Sequence, residues 1–288
     1  YRGLTRMRLW REKNYRSPLE PLTHRQAQRL REELAGYADG REWRVRVAYE
    51  FRDPCLKNVL KDLLVEKPEH IVLVPLYLPV SDFTTEISRR DYHRFQEKHG
   101  RPLPEPGMVT FRVCHRELAA VSAVYLREQV AQRGIDEAGK KETGLLLGCH
   151  GTVMTPPPGI QDAGYCDTKQ MYDDLEELLA PEFKAVGIGW LNHRLGGEWT
   201  RPTLEESAKA MLEQGIRQFV YYPFGFLADN AETQLEGQTV LNDLGITEYH
   251  HIPCMNDDPQ FIRFLAGKIV EEAGVMTNPA SLASSPAA

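Results

Sequence analysis

The chain has 288 residues, of which 42% are hydrophobic and 26% charged, a composition typical of a soluble globular enzyme of about two domains. Its formal net charge of -6 at pH 7 argues against nucleic-acid binding, and no apolar run approaches the roughly 20 residues that a membrane-spanning helix needs. The five cysteines are scattered without a C-x-x-C pair, which argues against a disulfide scaffold or a zinc knuckle and favours a reducing cytoplasm.

The first half of the chain alternates between helical and strand patterns. Helices are predicted where apolar residues recur at helical spacing, and strands where residues alternate or form a short apolar run. The predicted helices span 24–34, 55–67, 87–99 and 118–133, and the predicted strands span 43–51, 70–77 and 108–113. The polar, glycine-containing segment 134–141 is predicted to be a linker.

The same pattern restarts after this linker. Strands are predicted at 143–149, 183–191, 219–226 and 249–254, and helices at 169–179, 204–214, 231–244 and 259–273. Recurring strand–loop–helix units indicate an α/β fold of two Rossmann-like, doubly wound parallel-sheet domains. The predicted domains are 1–135, in which the usual first strand is not evident, and 142–258, followed by a terminal helix at 259–274 that packs back on the first domain and a disordered tail at 275–288.

The stretch from Phe219 to Glu236 is the centre of the functional prediction. Its apolar run FVYYPFGF predicts a buried parallel strand, and Asp229 and Asn230 supply cap chemistry for the helix that follows. Glu232 is therefore expected in the first helical turn past the carboxyl end of a strand, where open α/β sheets bind ligands. The alternative is purely local, with Asp229 capping the helix and Glu232 complementing its dipole.

His150 is expected at a second strand end, directly after the apolar strand GLLLGC. An imidazole titrates near neutrality and suits a general base or a metal ligand, although a histidine bonded to its own loop has the same pattern. Where two such strand ends lie close together, His150 and Glu232 form an imidazole–carboxylate pair. Such a pair suits proton abstraction or the transient binding of a divalent metal.

Two further groups of residues are candidates for ligand binding. A hydroxyl cluster follows a first-half strand and suits an anion, although its members equally suit turn and cap roles; it consists of Tyr77, Ser81, Thr84 and Thr85. The run WLNHRLGGEW at 190–199 surrounds two glycines with aromatic and cationic side chains, which suits a flat anionic ligand. Its glycines do not follow the dinucleotide fingerprint, so no nucleotide cofactor is expected.

In this order, these segments resemble the ferrochelatases, the terminal enzymes of haem synthesis. The resemblance extends from about Ser17 to Ala273 and implies two Rossmann-like domains with a porphyrin cleft between them. Six collinear segments carry it: SPL at 17–19, VPLYLPVSDFTT at 74–85, LLLGCHG at 145–151, GWLNHRLGGEWTRP at 189–202, PFGFLADNAETQLE at 223–236 and HHIPCMNDDPQFI at 250–262.

The resemblance implies an enzyme that inserts Fe(II), as a substrate, into protoporphyrin IX or coproporphyrin III and yields haem. It places His150 and Glu232 at catalytic positions, and with Glu236 they are expected to bind the metal transiently. The residues expected to hold the porphyrin are Tyr77, Ser81, Thr84, Thr85, Trp190 and Phe226. No iron–sulfur cluster is expected, because the family's cluster cysteines lie near the C-terminus and this chain has none beyond Cys254.

Several positions depart from the family pattern. Asn230 stands where the family usually has His or Cys, and an amide cannot shuttle a proton. Glu50 stands where the family typically has Arg, and Asp53 where it has His, so the charge of the first-domain cleft wall is altered. The family's N-terminal strand is not evident in this chain.

These departures keep a second hypothesis open, a divergent homologue that binds porphyrin or haem without efficient insertion as a carrier, sensor or dechelatase. A sirohydrochlorin-type chelatase is a third hypothesis, which the SPL and hydroxyl-cluster matches disfavour. The protein is expected to be a cytoplasmic monomer or homodimer. A transient contact with a membrane or a haem acceptor is compatible with the resemblance.

Overall fold

A computed structural model describes residues 8, 10–37, 40–100, 103–192 and 197–277. Its elements follow the predicted alternation of helices and strands. The elements of the first half are α1 (Leu19–Ala35), α2 (Leu56–Glu66), β1 (Val72–Leu73), α3 (Thr85–His99), β2 (Gly107–Met108), α4 (His115–Gln132) and the short helix α5 (Glu137–Lys140).

The second half contains the longer strands and a helical segment with π-type hydrogen bonding, here named the π-turn. Its elements are β3 (Thr143–His150), α6 (Tyr165–Leu179), β4 (Ala185–Leu191), α7 (Leu204–Glu213), β5 (Gln218–Tyr222), the π-turn (Glu232–Glu236), α8 (Gly237–Asp243), β6 (Tyr249–His251) and α9 (Pro259–Thr277).

The main sheet of the described residues has four parallel strands in the order β4-β3-β5-β6. Strand β3 is central and pairs with both β4 and β5. Its residues from Thr143 to Cys149 are all buried, and only His150, at the carboxyl end, is exposed. A continuous apolar run is what a strand covered on both faces requires, so the predicted α/β fold with parallel strands is confirmed.

The first half has a smaller sheet in which β1 and β2 pair in parallel. The described segment 43–51, predicted as a strand, contains no strand and joins only in an isolated bridge between Tyr49 and Cys55. Its side chains do alternate between half-buried and exposed, and Arg31 donates two hydrogen bonds to the Val45 carbonyl. The alternation therefore predicted the extended conformation but not the hydrogen-bond partner.

One hydrophobic cluster extends across both halves of the chain. It includes Leu30 from α1, Leu118 from α4, Leu147 from β3 and Phe261 from α9, and α9 packs against both α1 and α4. Helix α9 continues to Thr277, three residues past the predicted end of the terminal helix; the rest of the predicted tail, 278–288, lies outside the described residues. None of the described helices is long and apolar enough to cross a membrane.

A polar network joins the loop after β1 to the loop after β3. Arg112 donates to both carboxylate oxygens of Asp167 at 2.9 and 3.0 Å, and also to the Val80 carbonyl and the Asp162 carboxylate. Asp82 accepts the backbone N–H of Asp162 at 3.0 Å. These five residues, here named the cross-loop network, hold the carboxyl-end loops of the two sheets against each other.

Candidate active site

The imidazole of His150 stands at the open end of the central strand. Its side chain is 48% exposed, and Nδ1 lies 2.6 Å from the Gly151 carbonyl oxygen. Because a carbonyl oxygen only accepts hydrogen bonds, Nδ1 is the donor and the neutral ring carries its lone pair on Nε2. The backbone therefore selects the tautomer in which Nε2 can accept a proton or bind a metal.

The π-turn supplies the carboxylate of Glu232. The side-chain oxygen of Asn230 accepts the N–H groups of Glu232 at 2.8 Å and Thr233 at 3.3 Å, so Asn230 caps the turn. Buried Asp229 binds the side chain of Asn256 at 2.8 Å and anchors the preceding loop. The sequence predicted an ordinary helix here; turns of the π type are rare and recur at functional sites.

The structure brings His150 and Glu232 together. Their Nε2 and Oε2 atoms are 3.8 Å apart, and the Glu232 side chain is only 14% exposed. This distance exceeds a hydrogen bond but allows an ion pair once the imidazole is protonated. The ring of Phe226 lies edge-on to His150 with 6.4 Å between ring centroids, so an aromatic side chain borders the pair.

His150, Glu232 and Glu236 were expected to bind the metal together, but among the described residues they are not arranged as a metal site. Glu236 is the last residue of the π-turn that Glu232 begins. No group of three His, Cys, Asp or Glu side chains within the described ranges is arranged to hold a metal ion. Within the described residues, the transient iron site expected at these three side chains stays a prediction.

Tyr77, from the predicted hydroxyl cluster, is partly exposed and paired with an acidic side chain. Its hydroxyl donates to Glu50 Oε2 at 2.9 Å. Burial raises the pKa of Tyr77, with a further contribution from Glu50, and burial also raises the pKa of Glu50. Glu50, which the sequence identified as a departure from the family, is thus the immediate partner of a predicted ligand-binding residue.

The other members of the hydroxyl cluster are engaged within their own turn. Ser81 and Thr85 are each 2% exposed. Ser81 Oγ and Thr84 Oγ1 lie 2.8 Å apart, and Thr84 also donates to the Pro79 carbonyl. These hydrogen bonds shape the loop after β1, and ligand binding by the hydroxyl cluster stays a prediction.

Trp190 occupies the core rather than an exposed wall. It is 2% exposed and stacks on Tyr165 with a centroid distance of 5.8 Å. Tyr165 is half-buried and begins α6, so another aromatic side chain covers one face of the Trp190 ring. Sequence reasoning missed Tyr165, because an aromatic residue at the start of a helix carries no local signal of its contacts. Residues 193–196 of the predicted aromatic loop lie outside the described residues.

The comparisons of sequence agree on one family. The family model described as Ferrochelatase matches residues 7–273. The chain is 24% identical over 265 residues to a ferrochelatase of Nostoc punctiforme, 25% over 262 residues to one of Synechococcus, and 27% over 258 residues to one of Phenylobacterium zucineum. These alignments cover 88%, 87% and 87% of this chain and 65%, 64% and 71% of the relatives; the chain thus spans slightly less than two thirds of the first two.

Solved structures share the fold at low identity. SirB from Bacillus subtilis with Fe3+ superposes with a TM-score of 0.60 at 15% identity, covering 88% of this chain and 91% of that one. DR2241 from Deinococcus radiodurans superposes with a TM-score of 0.53 at 18% identity, covering 88% of this chain and 50% of that one. It is described as a multi-domain protein with structural similarity to chelatases. At these identities the likeness supports the chelatase-type fold alone.

Proposed function

Because this chain belongs to the ferrochelatase family, we propose that it inserts ferrous iron into a porphyrin, protoporphyrin IX or coproporphyrin III, in haem synthesis. The observation that carries the proposal is the pair of His150 and Glu232, whose Nε2 and Oε2 atoms are 3.8 Å apart. Family membership gives the reaction class, and this pair supplies the groups that the reaction needs.

Insertion of Fe(II) displaces two protons from the pyrrole nitrogens of the porphyrin. Pyrrole N–H groups are very weak acids, so a nearby base lowers the barrier to their removal. His150 offers the Nε2 lone pair for each proton in turn. Glu232 then stabilises the imidazolium that forms, takes up the proton and restores the neutral ring. It releases the first proton to solvent before the second one is transferred, so both pyrrole protons leave by the same route.

The surroundings of the pair favour this role. Asn230 fixes the start of the π-turn through two backbone hydrogen bonds, so the Glu232 backbone is held in place while its side chain exchanges a proton. Phe226 offers an aromatic edge beside the imidazole. An apolar contact of this kind suits the face of a flat macrocycle, and binding energy from the ring faces is available to bend it.

A second candidate function is binding of porphyrin or haem without efficient insertion. Two observations favour it: Asn230 is engaged as a cap and offers no proton relay, and Glu50 places a carboxyl beside Tyr77. In this case the fold and its aromatic contacts are retained, whereas proton removal is slow.

Anaerobic stopped-flow absorbance with purified protein and Fe(II) separates these functions. The protein is mixed in turn with protoporphyrin IX, coproporphyrin III and sirohydrochlorin, and the metallated product is followed in the Soret region. We expect insertion into at least one of the two porphyrins. Tight haem binding without insertion supports the second candidate, and insertion into sirohydrochlorin alone contradicts both.

A further inference from the structure

The hydroxyl of Tyr221 is fully buried between the strand that ends in His150 and the helix that follows the π-turn. Tyr221 belongs to β5 and is 0% exposed. Its ring stacks on that of His251, with 5.6 Å between the ring centroids. A Cβ atom on Gly148 would lie 2.6 Å from its ring, and one on Gly237 would collide with its hydroxyl oxygen. The ring therefore fits between β3 and the start of α8 only because both of these positions are glycine.

This hydroxyl has no hydrogen-bond partner among the described residues. Buried tyrosine hydroxyls normally have one, and leaving such a group unpaired is costly. Phenylalanine fills the same volume without that cost. A partner that reaches the hydroxyl at another stage of the reaction cycle accounts for a tyrosine at this position.

The position of the hydroxyl indicates which partner this is. Gly148 and His150 are two residues apart in β3, so they share one face of the sheet, and Tyr221 packs on that face over Gly148. Gly237 directly follows the π-turn that Glu232 begins. Burial raises the pKa of Tyr221 well above its ordinary value, with smaller contributions from Cys254, Cys149 and Glu232, so the hydroxyl keeps its proton.

We propose that Tyr221 is a positioning residue that holds the Glu232 carboxyl during proton transfer from His150. A hydroxyl both donates and accepts hydrogen bonds. Tyr221 donates to the ionised carboxylate and accepts from the protonated acid, so one contact serves both protonation states. Tyr221 acts only through hydrogen bonds: it forms and breaks no covalent bond and does not bind the metal. The inference rests on the proposed function and adds a residue to its machinery.

Tyr222 provides a matched control for the test. It is the next residue of β5 and equally buried, but its hydroxyl lies 2.8 Å from the Ser122 hydroxyl. Tyr222→Phe therefore removes a satisfied hydrogen bond remote from Glu232. We expect it to lower the midpoint of thermal unfolding by about 2 °C and to leave turnover within about twofold of the parent.

Tyr221→Phe is expected to show the opposite pattern. Its unfolding midpoint should be unchanged or higher, because no hydrogen bond is lost, whereas kcat for iron insertion should fall about tenfold or more at unchanged porphyrin KM. Loss of the hydroxyl that positions the Glu232 carboxyl should also change the solvent isotope effect on kcat. A purely structural role of Tyr221 does not predict such a change.

The outcomes separate this inference from the proposed function. Insertion by the parent and Tyr222→Phe together with reduced kcat in Tyr221→Phe supports both. Insertion at equal kcat and with equal isotope effects in all three proteins overturns the role of Tyr221 and leaves the proposed function standing. A parent that inserts no metal overturns both.

Discussion

At the scale of single residues, the candidate site depends on how the backbone constrains two titratable side chains. The Gly151 carbonyl selects the tautomer of His150, and the Asn230 side chain fixes the start of the turn that carries Glu232. Asn230, which the family comparison marked as a lost proton carrier, has a structural role in this chain. In the proposed mechanism, proton transfer therefore depends on His150 and Glu232 themselves.

His150→Ala and Glu232→Gln should each lower the rate of iron insertion, by about a hundredfold or more. The alanine variant lacks the base, and the glutamine variant keeps the shape of Glu232 without its proton-accepting charge. Single-turnover absorbance measures the rate. His250→Ala and Glu248→Gln are matched controls at exposed positions and should retain the parent rate. Near-normal insertion by either site variant would remove that residue from the mechanism.

At the scale of secondary-structure elements, the sequence predicted most of the strands and helices that bury an apolar face. The apolar runs that became β3 and β5 and the helical spacing of α1 and α4 marked buried faces correctly. The π-turn was not predictable, since its apolar pattern is that of an ordinary helix. The strand expected at 43–51 failed because strand pairing depends on a partner distant in the sequence.

The candidate site was predictable to a similar extent. His150 and Glu232 follow recognisable strand ends, so their approach was expected from the topology. Tyr165 and Tyr221 were missed because an aromatic residue in a helix start or an apolar strand carries no local signal of function. Trp190 was predicted to contact the porphyrin. The sequence alone does not show that its ring is buried against Tyr165.

The cross-loop network gives a prediction for the two carboxyl-end loops. Asp167→Asn should lower the free energy of unfolding by about 2 kcal/mol, because it weakens the pairing of a buried carboxylate with the partly exposed Arg112. Asp173→Asn, at a half-exposed position of the same helix where the carboxylate pairs with the partly exposed Lys169, should cost less than about 0.5 kcal/mol. Urea unfolding measures both, and equal values would show that the network does not hold these loops.

At the scale of the whole molecule, the two halves share a core. The cluster that runs from Leu30 through Leu147 to Phe261 crosses the predicted division between domains at 135–142. Shared burial of this kind couples the unfolding of the elements involved. The prediction of two domains concerned the strand–helix repeats, and nothing in those repeats indicated how much apolar surface the halves bury together.

Thermal unfolding should therefore proceed in one transition, with tryptophan fluorescence and far-UV circular dichroism giving the same midpoint. Phe261→Ala removes a fully buried ring from α9 and should lower the free energy of unfolding by about 3–5 kcal/mol while the two probes still coincide. Phe51→Ala, at a side chain that is 89% exposed, is the control and should change stability by less than about 0.5 kcal/mol. Two separated transitions would contradict a shared core.

The close fit of Tyr221 between Gly148 and Gly237 has an evolutionary consequence. A methyl group at either glycine excludes the phenol ring, so neither position can drift while the ring remains. Alanine at 148 or 237 becomes acceptable only after position 221 has changed to a smaller side chain. Substitutions at these three sites should therefore co-vary among close homologues. In a lineage where position 221 has lost its aromatic ring, residues larger than glycine should then occur at 148 and 237.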